Sequence, residues 1–376
     1  MKRIGIFGLI LCACCVSVAW GQQPACGRYA PWAQFHRYNM RRSNPCEKVL
    51  NVHNVRDLTL KWTYATGSNL IASSPAVADG VIYVASSGIT ALKASTGAKL
   101  WYKDTGYAGE SSPAVVEGVV YVGSFDGNVY ALSARTGAKL WRYQTGDLVF
   151  CPPTAVNGAV YFGSDDGNVY ALDAKTGALR WSYATGGLVR SSPAVVNGVV
   201  YFGSTDAKVY ALNAETGALL WSYATGGEIF ICSPAVADDV VYVGSSDSNV
   251  YALNASTGAK LWTYTTGDGI LGSPAVANGV VHVSSADGNL YALNARSGAK
   301  IWSYPAVAYG SSPAVANGVV YIGSLNSAVY ALAASSGAML WNFSTSSYID
   351  YASPAVANGA LYIGSDDGTF YAFGLK

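Results

Sequence analysis

Two runs, Asp165-Asp166-Gly167 and Asp366-Asp367-Gly368, set adjacent carboxylates beside a glycine. Such oxygen-rich turns can take calcium, but a calcium loop needs further carboxylates downstream, and neither run has them. Asp-Gly is also a hairpin-turn dipeptide, so the expectation is a turn with exposed acids. The only histidines are His36, His53 and His282, and no two stand at metal-ligand spacing. No C-x-x-C-H haem motif, nucleophile elbow or phosphate loop occurs. Neither catalytic residues nor a metal site are expected.

The remaining candidates depend on what positions them, and that is a repeat. Trp62, Trp101, Trp141, Trp181, Trp221, Trp262, Trp302 and Trp341 follow one another at 39 to 41 residues. Pro75, Pro113, Pro153, Pro193, Pro234, Pro274, Pro313 and Pro354 keep the same period, each before Ala-Val or Thr-Ala-Val. Eight copies near 40 residues are the signature of a propeller or solenoid. One period reads as four short strands: Ser192 to Val196, Val199 to Gly203, Val209 to Leu212 and Leu219 to Tyr223, with turns at Asn197-Gly198, Thr205-Asp206 and Thr216-Gly217. Four strands make one propeller blade. The strand from Leu58 to Ala65 precedes the first complete unit, and the last unit lacks its fourth strand. Joining the two closes the ring without an open edge. The expected fold is all-β: an eight-bladed β-propeller of four-stranded blades spanning 55–376, closed by an N-terminal outer strand. The tryptophans are expected to dock neighbouring blades, with the corner glycines taking a backbone conformation closed to other residues.

The strands barely differ between copies, whereas the loop from one blade's outer strand to the next blade's inner strand changes every time. In a propeller this loop crosses one face toward the central channel. Its polar and aromatic members are Asn69, Tyr107, Glu110, Phe150, Arg190, Glu228, Phe230, Asp268, Tyr309, Tyr348, Asp350 and Tyr351. Glu110, Phe150 and Arg190 each stand three residues before the repeat proline, and Phe230 one position further out. The plain reading is loops free to drift. The functional one is a recognition face with aromatic anchors and charges, holding a protein, a peptide or another extended partner.

Lys2 and Arg3 precede an uncharged run from Ile4 that ends in the small-x-small site Ala19-Trp20-Gly21. This has the form of a secretory signal peptide over 1–21, placing the mature protein in the periplasm or outside the cell. Leu11-Cys12-Ala13-Cys14 loosely resembles a lipobox, and membrane association is expected only if lipid is attached there. Residues 22–54 form a basic arm: Gln22–Lys61 carries seven Lys/Arg against two Asp/Glu, while from Trp62 onward there are 14 against 20. The arm is expected to pack on the acidic body, whose sign disfavours nucleic acid. A monomer is expected. Cys26 and Cys46 flank the arm and can close a disulfide loop worth on the order of 3 kcal/mol. Cys151 and Cys232 recur at one repeat position in non-adjacent units and are expected to be free, buried thiols.

The pattern A-L-x-A-x-[TS]-G-x-x-x-W, present in seven of the eight units, resembles the PQQ-like repeat family, named for pyrroloquinoline-quinone dehydrogenases. Trp32, Phe35, Arg42, Ser43, Asn54-Val55, Leu58 and Trp62 are similar to the lead-in segment of such propellers. No Trp is followed by Asp, which disfavours WD repeats. The resemblance covers nearly the whole mature chain and implies the fold more firmly than the function. It implies two readings. One is a non-catalytic propeller without cofactor, similar to outer-membrane assembly factor B, which binds partner chains. The alternative is a dehydrogenase of alcohols or sugars with pyrroloquinoline quinone and calcium at the ring centre. The dehydrogenases hold the quinone between a Trp and a disulfide of adjacent cysteines. Here the only adjacent pair, Cys14-Cys15, lies in the leader, and every Trp from 62 onward occupies the repeat position.

Overall fold

The computed structural model describes residues 32–35, 41–67, 72–108 and 110–376. The expected leader and Cys26 lie outside them, as does Asn69; Cys46 is disulfide-bonded. Blade 4 shows how a repeat folds. Ala194–Val196, Val199–Ser204, Lys208–Asn213 and Leu219–Ala224 are consecutive antiparallel strands, hydrogen-bonded in chain order. Asn197 and Gly198 both take positive φ, 49° and 78°, the two-residue turn whose twist matches a hairpin. The middle strands are buried on both faces, as their apolar runs require, and the outermost alternates toward solvent.

Blades are numbered here by their prolines, from Pro75 (blade 1) to Pro354 (blade 8). Blade 8 consists of Ala355–Ala357, Ala360–Gly364 and Thr369–Leu375, completed by Leu58–Ala65 antiparallel to Thr369–Leu375. The innermost strands contact one another in a closed cycle around the channel. The fold is the all-β, eight-bladed propeller expected from the repeat, with the ring closed by the N-terminal strand.

Each seam between blades uses the same parts. Trp181 Nε1 donates to the Ala214 carbonyl of the next blade at 3.0 Å, and its ring lies against Gly217 of the Thr-Gly corner. A Cβ on Gly217 would sit 2.8 Å from that ring, and φ there is +72°, so the position needs glycine twice over. A β-bulge opposite Leu212 inserts Leu220 before Trp221 and turns the indole inward. The seam at Trp341 departs from this: its Nε1 donates to Leu58 O of the closing strand at 3.1 Å, and its ring meets Phe373 at 5.1 Å where the other seams have the corner glycine.

Around the channel, backbone N–H groups donate from blade to blade onto serine hydroxyls. The links run Ser192 to Ser233, Ser273, Ser312, Ser353, Ser74 and Ser112, at 2.8 to 3.3 Å. The collar breaks at Pro152, which has neither N–H nor hydroxyl. The basic arm runs along the same strands. Trp32 bridges Val77, Ala33 accepts from Val115, and Gln34 Oε1 accepts from Ala155 N–H. Further on, Arg41 and Arg42 accept from Val276 and Val315, and Ser43–Asn44 runs parallel to Val315–Ala316. Arg42 is fully buried. Its guanidinium donates to Phe35 O at 2.9 Å, Pro313 O at 3.1 Å and Ser312 O at 3.3 Å, and lies 4.3 Å from the Phe35 ring centre. Burial pulls its pKa down to about 9, so these carbonyls and rings stand in for its hydration shell. The described part of the arm therefore packs on the body.

Cys151 and Cys232 are free and buried, as anticipated. Each thiol replaces a serine hydroxyl: Cys151 Sγ accepts from Gly163 N–H at 2.9 Å, as Ser191 Oγ accepts from Gly203. Burial pushes both thiols up to about 12, which leaves them unreactive. His282 takes the place of a blade-docking tyrosine; it is fully buried, its Nε2 faces Ala334 O at 3.4 Å, and burial lowers its pKa to about 4.

Candidate functional site: the mouth of the central channel

All eight residues three positions before the repeat prolines meet in one cup: Ala72, Glu110, Phe150, Arg190, Ile231, Leu271, Gly310 and Tyr351. Serines of the collar lie below them, and Phe35 of the arm also lines the cup. The enclosed space is about 50 Å³. That holds a few waters or one small head group.

On blades 2 to 5 an aromatic row runs around the mouth. The Tyr107 and Phe125 centroids are 5.0 Å apart, and Phe125 stacks on Phe150 at 5.6 Å. Arg190 then lies between Phe150 and Phe230, 4.8 and 4.9 Å from their ring centres. Its guanidinium also forms a two-pronged bond to Asp165, Nε to Oδ1 at 2.9 Å and an Nη to Oδ2 at 2.6 Å. This corrects one expectation: Asp165 is not an exposed turn acid but a buried counter-ion. Its neighbour Asp166 keeps the turn role, accepting from Asn168 N–H at 2.9 Å and from Tyr170 OH at 2.6 Å. With both faces covered and its charge matched, Arg190 is a fixed wall.

One carboxyl, Glu110, also lines the cup, and it feels Arg190 first and then Asp350 and Asp165. Tyr351 meets Tyr309 edge-on at 6.3 Å. Burial pushes Glu110 up to about 7; Arg190 opposes this, and Asp350 and Asp165 add to it. Burial likewise raises Asp350, and it raises Asp366 to about 6 with Asp350 and Asp367 adding. Backbone N–H groups of Gly310 and Asp350 oppose the rise at Asp350 and Asp366 respectively, although Oδ1 of each carboxyl is sealed from solvent without a hydrogen bond of good geometry. Of the other candidates, Glu228, Asp268 and Tyr348 are exposed, with Tyr348 at 58%.

The loop comparison missed Phe125, Asp165 and Asp366. They occupy one repeat position, after the serine of the second hairpin, which across the blades reads Ser87, Phe125, Asp165, Thr205, Ser246, Ala286, Leu325 and Asp366. From blade 2 onward, the N–H at this position donates to a carbonyl of the joining loop, for example Phe125 to Tyr107 and Asp366 to Tyr348. Its variation from copy to copy was a usable signal.

Glu110 has a pH signature. A carboxyl whose folded pKa lies above its unfolded value stabilises the fold below the unfolded pKa, and that contribution is lost as pH rises through the folded one. For Glu110 the window runs from its ordinary 4.5 to about 7. Glu110→Gln is therefore expected to melt with the wild type at pH 4 and above it at pH 8. Parallel melting curves across that range would contradict a buried, repelled carboxyl.

A quinone with calcium would need a broad bed and several oxygen ligands at the ring centre. No group of three or more His, Cys, Asp or Glu that could hold a metal exists among the described residues, and the cup is far below the few hundred Å³ of a cofactor pocket. The residues present do not fit that group.

Fold and repeat together define an eight-bladed propeller of the PQQ-like class, with its channel lined by an N-terminal arm. The family model described as outer membrane protein assembly factor BamB matches residues 50–151, 148–233, 226–310 and 305–376, and the chain belongs to that family. Solved structures similar to it include BamB from Moraxella catarrhalis (22% identity, TM-score 0.73, 85% of this chain and 98% of that one). The quinohemoprotein alcohol dehydrogenase ADHIIG from Pseudomonas putida HK5 is also similar (18%, TM-score 0.78, 92% and 80%). So is the computationally designed Ika8 protein (18%, TM-score 0.73, 83% and 98%). At these identities the likeness is one of fold. No curated protein matches the chain in sequence.

Proposed function

We propose that the protein is an exported, non-catalytic scaffold that works without a cofactor and holds a protein or peptide partner at the channel mouth, in the service of outer-membrane protein assembly. One observation carries this reading. The blades are near copies, and the side chains in which they differ gather around the mouth, where half-buried rings and charges converge. Variable side chains on a rigid frame are what a recognition surface needs, and aromatic anchors are its usual hot spots. Membership of the assembly-factor family supports it, as does the poor fit of quinone and calcium. Export is proposed on the leader-like N-terminus.

The test is photocrosslinking in cells of the exporting organism. A photoreactive residue at Tyr348 or Glu228, both exposed beside the mouth, is expected to give one discrete adduct, identified by mass spectrometry. The same residue at Leu140, exposed on the rim, is expected to give none. Equal labelling at rim and mouth would defeat the proposal. So would turnover of an alcohol or sugar by purified protein supplied with quinone and calcium.

A further inference from the structure

We propose that the end of the propeller opposite the mouth docks flat on an anionic lipid bilayer. The innermost strand of each blade starts at the mouth, so the corner leading into the outermost strand lies at the far end. There the two residues before each repeat tryptophan follow one rule. Of these sixteen positions six are Lys or Arg, and the other ten are Leu, Ile or Met. Six blades pair one of each kind, as in Lys99-Leu100, Lys260-Leu261 and Lys300-Ile301, while blades 4 and 7 have two apolar residues. The first of the two takes the same register against the third strand in every blade, so the pairs form a ring at one level.

Packing does not account for the apolar members. Nine of the ten are 41 to 54% exposed, and they make up most of the large apolar side chains exposed among the described residues. Single exposed leucines are ordinary, whereas a ring of them at one repeat position marks a contact surface. Val49 and Val52 of the arm extend it at 49% and 37% exposure, beside the end turns at Gly359 and Gly318. All six bases are exposed, and among the described residues only Arg180 is in a salt bridge, with Asp173 at 2.8 Å.

Charge is sorted between the two ends. The joining loops and second hairpin turns at the mouth carry 14 Asp/Glu against one base, Arg190. The far corners, counted with the six bases, carry ten Lys/Arg against two Asp/Glu. Four further acids of this end, Asp79, Glu117, Asp238 and Asp239, stand in the inner turns, nearer the axis. Anionic head groups match the outer bases, and the leucines beside them enter the interfacial layer. The shape of the ring selects a bilayer over an acidic protein. A planar surface meets all eight blades at once, whereas a protein partner meets a local patch. The acidic mouth is then turned away from the lipid, open to its own partner.

The experiment uses the mature chain from Gln22, carrying no lipid, sedimented with vesicles of phosphatidylcholine alone or with about one third phosphatidylglycerol. At low salt the anionic vesicles are expected to bind at least about ten-fold more tightly, a preference that shrinks as salt is raised. Lys99→Gln/Lys260→Gln/Lys300→Gln should cut that preference to about three-fold or less. Leu100→Gln/Leu220→Gln/Leu261→Gln should weaken binding about five-fold or more, and melting curves check that both variants fold. Glu228→Gln at the mouth should leave binding within about two-fold. Equal binding to both vesicles, no binding to either, or an anionic preference that the lysine variant keeps overturns the proposal. So does binding that the leucine variant leaves intact while poly-glutamate competes, which would assign the ring to an acidic polypeptide. Salt-sensitive self-association without vesicles, lost in the lysine variant, also overturns it, because the acidic mouth of a second copy would then take the ring. Lipid contacts give no protein adduct, so the Leu140 control of the crosslinking test keeps its meaning and the scaffold reading stands or falls separately.

Discussion

Removal of residues 55–66 is expected to yield protein that elutes as aggregate and shows no cooperative melt. The segment is short, but it holds two seams. Leu58–Ala65 pairs with Thr369–Leu375 through seven register positions and is the outermost strand of blade 8. Leu58 O accepts the indole N–H of Trp341 from blade 7. On the other side, Trp62 Nε1 donates to Ala94 O in blade 1 at 3.0 Å, and its ring lies against Gly97. Without the segment, Thr369–Leu375 becomes a bare edge and Phe370 and Phe373, both fully buried, lose their cover. Light scattering after size exclusion, with a thermal melt, decides the matter. A soluble monomer with a sharp transition would show that the ring closes by other means.

Trp221→Ala is expected to cost about 3–5 kcal/mol, whereas Leu220→Ala beside it should stay within about 0.5 kcal/mol. The bulge separates the two fates. Leu220 is 51% exposed, while Trp221 is 9% exposed, packs on Tyr201 at 5.9 Å and against Gly258, and donates to Ala255 O at 2.9 Å. Alanine leaves both a cavity and an unpaired carbonyl. Urea unfolding of the two variants gives the comparison. Equal losses would mean that the seams are not held by the indoles. Because the same parts recur at each seam, Trp141→Ala and Trp181→Ala should behave alike, and a single blade that tolerates the change would mark a seam held by something else.

Much of the architecture was written in the spacing. Eight tryptophans and eight prolines at one period, with Leu58 to Ala65 left over at the start and a strand missing at the end, suffice to define the ring and its closure. The free thiols and the structural histidine were equally legible, because each occupies a repeat position whose role other copies reveal. At the mouth the reading was partial. The register three residues before the proline brings Glu110, Phe150 and Arg190 to one cup.

The partners of those side chains were decided by the tertiary structure. Arg190 and Asp165 are 25 residues apart in different blades, and nothing in their separation announces a two-pronged pair. Phe150 and Phe230 close on the same guanidinium from the two neighbouring joining loops. A periodic sequence determines which positions recur, because each blade must present the same surface to the next. It does not determine how unlike side chains at those positions meet across the channel. That follows from the closed ring, which brings the eight joining loops to one mouth, and from an arm that runs along the inner strands and leaves only a small cup there.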